Sequence, residues 1–165
     1  MEQSRSSAPV SASAQIDIAA PRPEVWAILS DIAAWPTWNP AIRESVQDPQ
    51  LDVGSRFRFS TEIGTLKCRV TALEVPGSFE WKGRVLVLGE RQSWQLETTE
   101  AGTHVTVLAE MTGLAAWLLK RRLTERLEAV LVSVLDLLRL EAEVRTSEAE
   151  EGAPNVARTE EGRAR

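Results

Sequence analysis

The sequence predicts an α+β domain in which an antiparallel sheet of six to seven strands is covered by one long C-terminal helix. Three observations carry that expectation. Between about residues 42 and 111 the chain runs in short stretches that alternate apolar and polar side chains, separated by turns containing Gly or Pro. From Leu114 to about Val144 there is neither Gly nor Pro, and the apolar side chains recur at helical spacing. Only one other amphipathic helix, opened by Pro21, precedes the alternating region.

Each element has its own warrant. Residues 14–20 alternate like a half-buried strand. Pro21 opens a helix through Asp31, because its missing N–H would have no partner in the first turn, and Val25, Trp26, Ile28, Leu29 and Ile32 share one face. The cluster Trp35-Pro36-Thr37-Trp38-Asn39-Pro40 closes this helix, its two prolines disfavouring regular helix and making a stiff, bulky turn. Alternating runs follow at 42–47, 55–61, 65–75, 78–87, 92–99 and 103–111, with turns at Gly54, Ile63-Gly64, Pro76-Gly77, Gly89 and Ala101-Gly102. Connections this short join antiparallel neighbours. Phe57 and Phe59 alternate with Arg56 and Arg58, so if the rings point inward both Arg side chains lie in solvent. Gly113 ends the last strand, and Leu119, Leu123, Leu127, Val130, Leu131, Val134, Leu137 and Leu138 form the stripe of the long helix. Residues 1–12 and 146–165 are too poor in large apolar side chains to offset their ordering entropy. They are expected to be disordered around a single domain, 13–145.

Composition excludes several function classes. A net charge of -5 and a pI near 5.1 argue against nucleic acid as a partner, and no strongly basic face is visible in the sequence. The single cysteine, Cys68, allows no internal disulfide. Neither a signal-peptide stretch nor an eighteen-residue apolar run occurs, so the expected location is cytoplasmic, without stable membrane insertion. With one His, one Cys and no Tyr, and without zinc spacing, a phosphate loop, a G-x-S-x-G turn or a dinucleotide fingerprint, the sequence points to no metal, no cofactor and no catalytic residue. His104 is expected to be an exposed strand-end residue, and Cys68, in phase with Leu66 and Val70, a buried thiol.

The order of elements and several motifs resemble the START-like (SRPBCC) superfamily, in its bacterial polyketide cyclase/dehydrase and lipid-transport branch. The matching segments are Ile18-Ala19-Ala20-Pro21 with Glu24-Val25-Trp26, the Trp35 to Pro40 cluster, Val53-Gly54, Glu80-Trp81-Lys82-Gly83, Gly102-Thr103-His104-Val105, and Glu110-Met111-Thr112-Gly113 before the long helix. The resemblance implies a helix-grip fold, with two short helices after the first strand and a curved sheet wrapped around the last helix to leave an apolar cavity. It also implies a small hydrophobic ligand, such as a lipid, sterol-like or polyketide molecule. The alternative is a metal-free cyclase or dehydratase acting in the same cavity, with Glu110, which matches the family's Glu before the Gly-ended strand, shuttling a proton.

Six Trp against three Phe is an unusual balance, and Trp suits a cavity wall because it joins a wide apolar face to one N–H. Trp26 and Trp94 are expected in the core. The expected ligand-binding residues are Trp35, Trp38, Phe57, Phe59, Cys68, Trp81, Glu110, Leu123, Leu127 and Leu131, with residues 35–40 as a gate and the long helix as a roof. The chain is expected to be a monomer or weak homodimer. Trp117, beside Leu118 and Lys120-Arg121-Arg122, could instead be a membrane-surface contact, and a third reading makes the outward Leu118, Val132 and Leu140 the contact surface of a co-chaperone or membrane-associated adaptor.

Overall fold

The computed structural model describes residues 8–152. Strand β1 (Val10–Ile18) leads through α1 (Arg22–Ser30), a single 3-10 turn (Ile32–Ala34) and the short α2 (Trp35–Trp38). Six strands follow: β2 (Glu44–Gln47), β3 (Arg56–Thr61), β4 (Gly64–Glu74), β5 (Ser78–Val85), β6 (Leu88–Thr99) and β7 (Gly102–Thr112). The chain then forms α3 (Leu114–Leu118) and α4 (Lys120–Gly152). The strands make one seven-stranded antiparallel sheet in the order β1-β7-β6-β5-β4-β3-β2, the helix-grip arrangement that the resemblance implies.

Alternation decides what each face does. Phe57, Phe59, Leu66, Cys68, Phe79, Trp81, Trp94, Leu96, Val105 and Val107 are buried on the concave face, while the residues between them are largely exposed. A bulge between Val70 and Ala72 shifts the phase near the end of β4. The edge strand β2 is short and polar, which limits edge-to-edge pairing. Its side chains hold the 3-10 turn: Ile32 N–H donates to Gln47 Oε1 (2.7 Å), and Ser45 Oγ donates to the Ile32 carbonyl (2.6 Å).

Helix α4 lies along β1 and against α1, and Arg126 near its start approaches Glu62 in the β3–β4 turn (3.9 Å). Leu127, Leu131, Leu135, Leu138 and Ala142 form its buried stripe, and the Ala19 N–H donates to Glu143 Oε1 (3.1 Å), tying the helix to the end of β1. The stripe thus includes Leu135 and leaves Leu119 and Val130 exposed, a rotation of the face expected from the sequence. The expected continuous helix from Leu114 is broken at Leu119 (φ -109°, ψ 21°): α3 buries Ala116 against the ends of β6 and β7, whereas α4 follows β1.

The boundaries also differ. Val10 and Ala12 are buried in the core, so the sheet begins within the segment expected to be disordered, and α4 runs through residue 145 to Gly152. The remainder of both expected tails, residues 1–7 and 153–165, lies outside the described residues.

Gly102 closes the β6–β7 turn at φ +144°, where an added Cβ would meet the Ile18 carbonyl and the Ala20 nitrogen. Both left-handed backbone and close approach therefore require glycine here. Gly102→Ala is expected to destabilise the protein by about 1–3 kcal/mol from backbone strain alone, measured by chemical denaturation. An unchanged midpoint would contradict this close approach.

Candidate functional site

Over β3 and β5 the concave face holds an aromatic cluster. Trp35 meets Phe57 and Phe59 edge-on, with centroids 5.9 and 5.5 Å apart, and Trp81 meets the same two rings at 5.7 and 5.8 Å. These geometries bring the positive edge of one ring to the negative face of the next. The Trp35 indole N–H donates to the Leu29 carbonyl (3.0 Å), fixing α2 to the end of α1. The indole N–H groups of Trp38 and Trp81 are buried and have no acceptor among the described residues. Buried donors of this kind are uncommon and costly, on the order of 1–3 kcal/mol each.

Beside the aromatics, β6 carries a polar string into this apolar face. Trp94 Nε1 donates to Gln92 Oε1 (3.1 Å), and Gln92 Nε2 donates to Glu90 Oε1 (2.6 Å). The three residues are two apart on one strand and so share its inner side. Their cross-strand neighbours are small or apolar: Gly83 and Met111 flank Glu90, and Trp81 and Ala109 flank Gln92. Burial pushes the Glu90 carboxyl above its ordinary range, opposed by the hydrogen bond from Gln92. Burial, and then the charge of Glu90, push the Cys68 thiol up, so it is a neutral, weakly nucleophilic group. Cys68 leans over Gly83, where an added Cβ would lie 2.5 Å from its sulfur.

The expected ligand residues are thus placed as follows. Trp35, Trp38, Phe57, Phe59, Cys68, Trp81, Leu127 and Leu131 are all buried in the hydrophobic core, with Leu123 partly buried against it. Residues 35–40 do not stand open as a gate: Trp35 and Trp38 are only 6% and 8% exposed, and Pro36 fits the first turn of α2 instead of preventing helix. Glu110 points to the opposite face of the sheet from the aromatic residues. It follows the fully buried Ala109, pairs across the sheet with Arg91, and lines an open groove that Cys68 and Glu90 also reach. Glu90 and Gln92, half-buried on the inward side of β6, are polar residues absent from the sequence expectation. Placing a turn at Gly89 hid them; the actual turn is at Leu86-Val87, and counting back in twos from Leu96 and Trp94 reaches both.

His104 is outward as expected, its Nδ1 2.7 Å from Asp17 Oδ1. Among the described residues, no three His, Cys, Asp or Glu side chains are grouped to hold a metal, and no helix is long and apolar enough to cross a membrane.

The strand order and the long C-terminal helix define a helix-grip fold, here with one acid and one amide set into an otherwise apolar concave wall. The chain belongs to the family described as polyketide cyclase/dehydrase and lipid transport, which it matches over residues 9–161. Similar solved structures include the di-domain ARO/CYC StfQ from the steffimycin biosynthetic pathway, at 19% identity and TM-score 0.70, covering 84% of this chain and 52% of that one. A hypothetical protein from Helicobacter pylori aligns at 17% identity and TM-score 0.69, covering 81% of this chain and 86% of that one. A START superfamily protein from Mycobacterium smegmatis aligns at 18% identity and TM-score 0.61, covering 84% and 98%. No curated protein matches the chain.

Two expectations follow from the geometry. Trp35→Phe should destabilise the fold more than Trp38→Phe, since only the first deletes a made hydrogen bond, about 1 kcal/mol net; equal losses in urea unfolding would contradict the assignment of Trp35 as the anchor. For Glu90, a raised folded-state pKa means that its stability contribution is lost as pH rises through that value. Glu90→Gln, uncharged at every pH, should therefore raise Tm relative to the parent at pH 7–8. The gain should shrink as pH falls through the ordinary carboxylate range and vanish at about pH 3 and below, where the parent carboxyl is protonated in both states.

Proposed function

We propose that the protein binds, and carries, a small and mostly apolar molecule that bears one or two keto or hydroxyl oxygens, a description that fits lipid, sterol-like and polyketide compounds. The observation that carries this reading is the Glu90-Gln92-Trp94 string on an otherwise apolar concave wall, beside Trp81, whose indole N–H, like that of Trp38, has no acceptor among the described residues. Gly83, Ala109 and Ala12 keep the floor low beside Glu90 and Gln92, and Leu123, Leu127 and Leu131 of α4 supply the apolar roof. Indole N–H groups can donate to a ligand oxygen, and a carboxyl held toward its neutral form can donate to a carbonyl or accept from a hydroxyl. A ligand with a carboxylate head would be repelled by Glu90 when that group ionises. Affinity would come from apolar burial, about 25 cal/mol per Å2, with the polar groups fixing orientation.

Family membership, whose description includes lipid transport, supports the same reading. The binding site is assigned to Trp38, Trp81, Glu90 and Gln92, with Phe57, Phe59 and Cys68 as apolar wall. The buried, neutral Cys68 needs no oxidising compartment, which agrees with a cytoplasmic location, and the binding reading needs only a monomer.

A second reading, a metal-free cyclase or dehydratase, is favoured by the raised pKa of Glu90, because an acid tuned toward neutrality suits proton transfer at a ligand held in one conformation. In that case Glu90, not the outward Glu110, would handle the proton.

Native mass spectrometry of the purified full chain, followed by titration with a hydroxylated aromatic ketone and a purely hydrocarbon probe, tests both. Gln92→Leu should weaken the ketone about three- to tenfold and leave the hydrocarbon nearly unchanged. Loss of turnover of a poly-keto substrate in Glu90→Gln, with binding retained, would select the enzyme. No co-purified ligand and no saturable binding of either probe would overturn the proposal.

A further inference from the structure

The outer face of the sheet is strongly basic, contrary to the expectation from the sequence. Cross-strand register stacks Arg56, Arg69, Lys82 and Arg91 in one row over β3, β4, β5 and β6, and Arg58, Lys67 and Arg84 in the next. All seven are exposed. Neighbouring strands lie about 4.8 Å apart, and like charges directly opposite are destabilising. Neutralisation is scarce: of the surrounding carboxylates, Glu44, Asp48, Glu80, Glu110 and, at the floor of the same groove, Glu90, none forms an ion pair with these cations among the described residues. On α4, by contrast, Arg121, Arg139 and Arg145 each pair with an acid one turn away. The chain as a whole is at -5, so the face is a local concentration of charge.

The groove between these side chains, about 930 Å3, runs to Val87 and Gly113. There the β5–β6 turn and the start of α3 touch, since a Cβ on Gly113 would lie 2.5 Å from the Val87 carbonyl. Both projections are apolar and open: Leu86 is 87% exposed, Val87 68%, Leu114 72%, Trp117 68% and Leu118 64%. Leu86 also holds φ +52°, a conformation that favours glycine, so a large apolar side chain is kept at the turn tip despite backbone strain.

We infer that this end of the molecule docks on an anionic membrane surface, with Leu86, Val87, Leu114 and Trp117 entering the headgroup layer and the cationic rows facing lipid phosphates and carboxylates. Apolar tips beside cations that make no ion pair among the described residues are the combination such a surface rewards, because burial and electrostatic attraction add. Trp in particular is at home at that depth. A nucleic acid would engage the cations but offers nothing to the exposed leucines. The inference does not depend on what the interior holds, and docking is measured without an interior ligand.

The test is co-sedimentation of the full chain with phosphatidylcholine vesicles, with and without about one-third phosphatidylserine, in low and physiological salt, beside titration with a duplex oligonucleotide. Binding should need phosphatidylserine and weaken with salt. It should fall about tenfold or more in Arg69→Glu/Lys82→Glu, and severalfold in Leu86→Ser/Trp117→Ser. The first pair also relieves cross-strand repulsion, so a Tm no lower than the parent's shows that its loss of binding is not unfolding. Absence of vesicle binding, binding indifferent to either pair, or tighter binding to the oligonucleotide than to the vesicles would overturn the inference.

Discussion

The edge-to-face contact of Trp35 and Trp81 with Phe57 and Phe59 is the interaction on which the rest of the structure depends. Helix α4 packs mainly on β1 and α1, and near its start Arg126 comes within 3.9 Å of Glu62 in the β3–β4 turn. The aromatic cluster anchors the α1–α2 corner to β3 and β5, through rings contributed by elements far apart in the chain. The Trp35 hydrogen bond to Leu29 sets where α2 stands, and the 3-10 turn held by Gln47 and Ser45 sets how the chain returns to the sheet. With both ends of the corner fixed, the concave face has one geometry in which to present Glu90 and Gln92.

Strict alternation then gives the two faces of one sheet different chemistries. Inward positions hold the aromatics and a short hydrogen-bonded string; outward positions on β3 to β6 hold seven cations. Gly83 lies where these demands meet, since any side chain there would displace the Cys68 sulfur beside Glu90. The indoles of Trp38 and Trp81 are buried without acceptors, a cost that a ligand oxygen would offset.

Much of this was legible in the sequence, and the failures have physical causes. Alternation located all seven strands, and the pairing of Phe57 and Phe59 with outward Arg56 and Arg58 holds in the structure. The break at Leu119 was not legible, because helix propensity is continuous there and only the need of Ala116 to reach β6 and β7 bends the path. Glu90 was hidden by reading Gly89 as a turn, although Gly89 sits within β6 opposite Thr112. The basic face escaped notice because register, not sequence proximity, assembles it: Arg56, Arg69, Lys82 and Arg91 become neighbours only once three hairpins have closed. Family likeness alone places Glu110 among the ligand residues, while its alternation with Met111 already points outside, where the structure has it.

The most direct test of the interior site is a heteronuclear NMR titration of the six indole N–H resonances with a hydroxylated aromatic ketone. The account predicts that Trp38 and Trp81, whose donors have no acceptor, shift progressively and saturably. Trp35, already bonded to the Leu29 carbonyl, and the exposed Trp117 should move little. Shifts confined to Trp117, or no saturable shift at Trp38 and Trp81 in the folded protein, would contradict it.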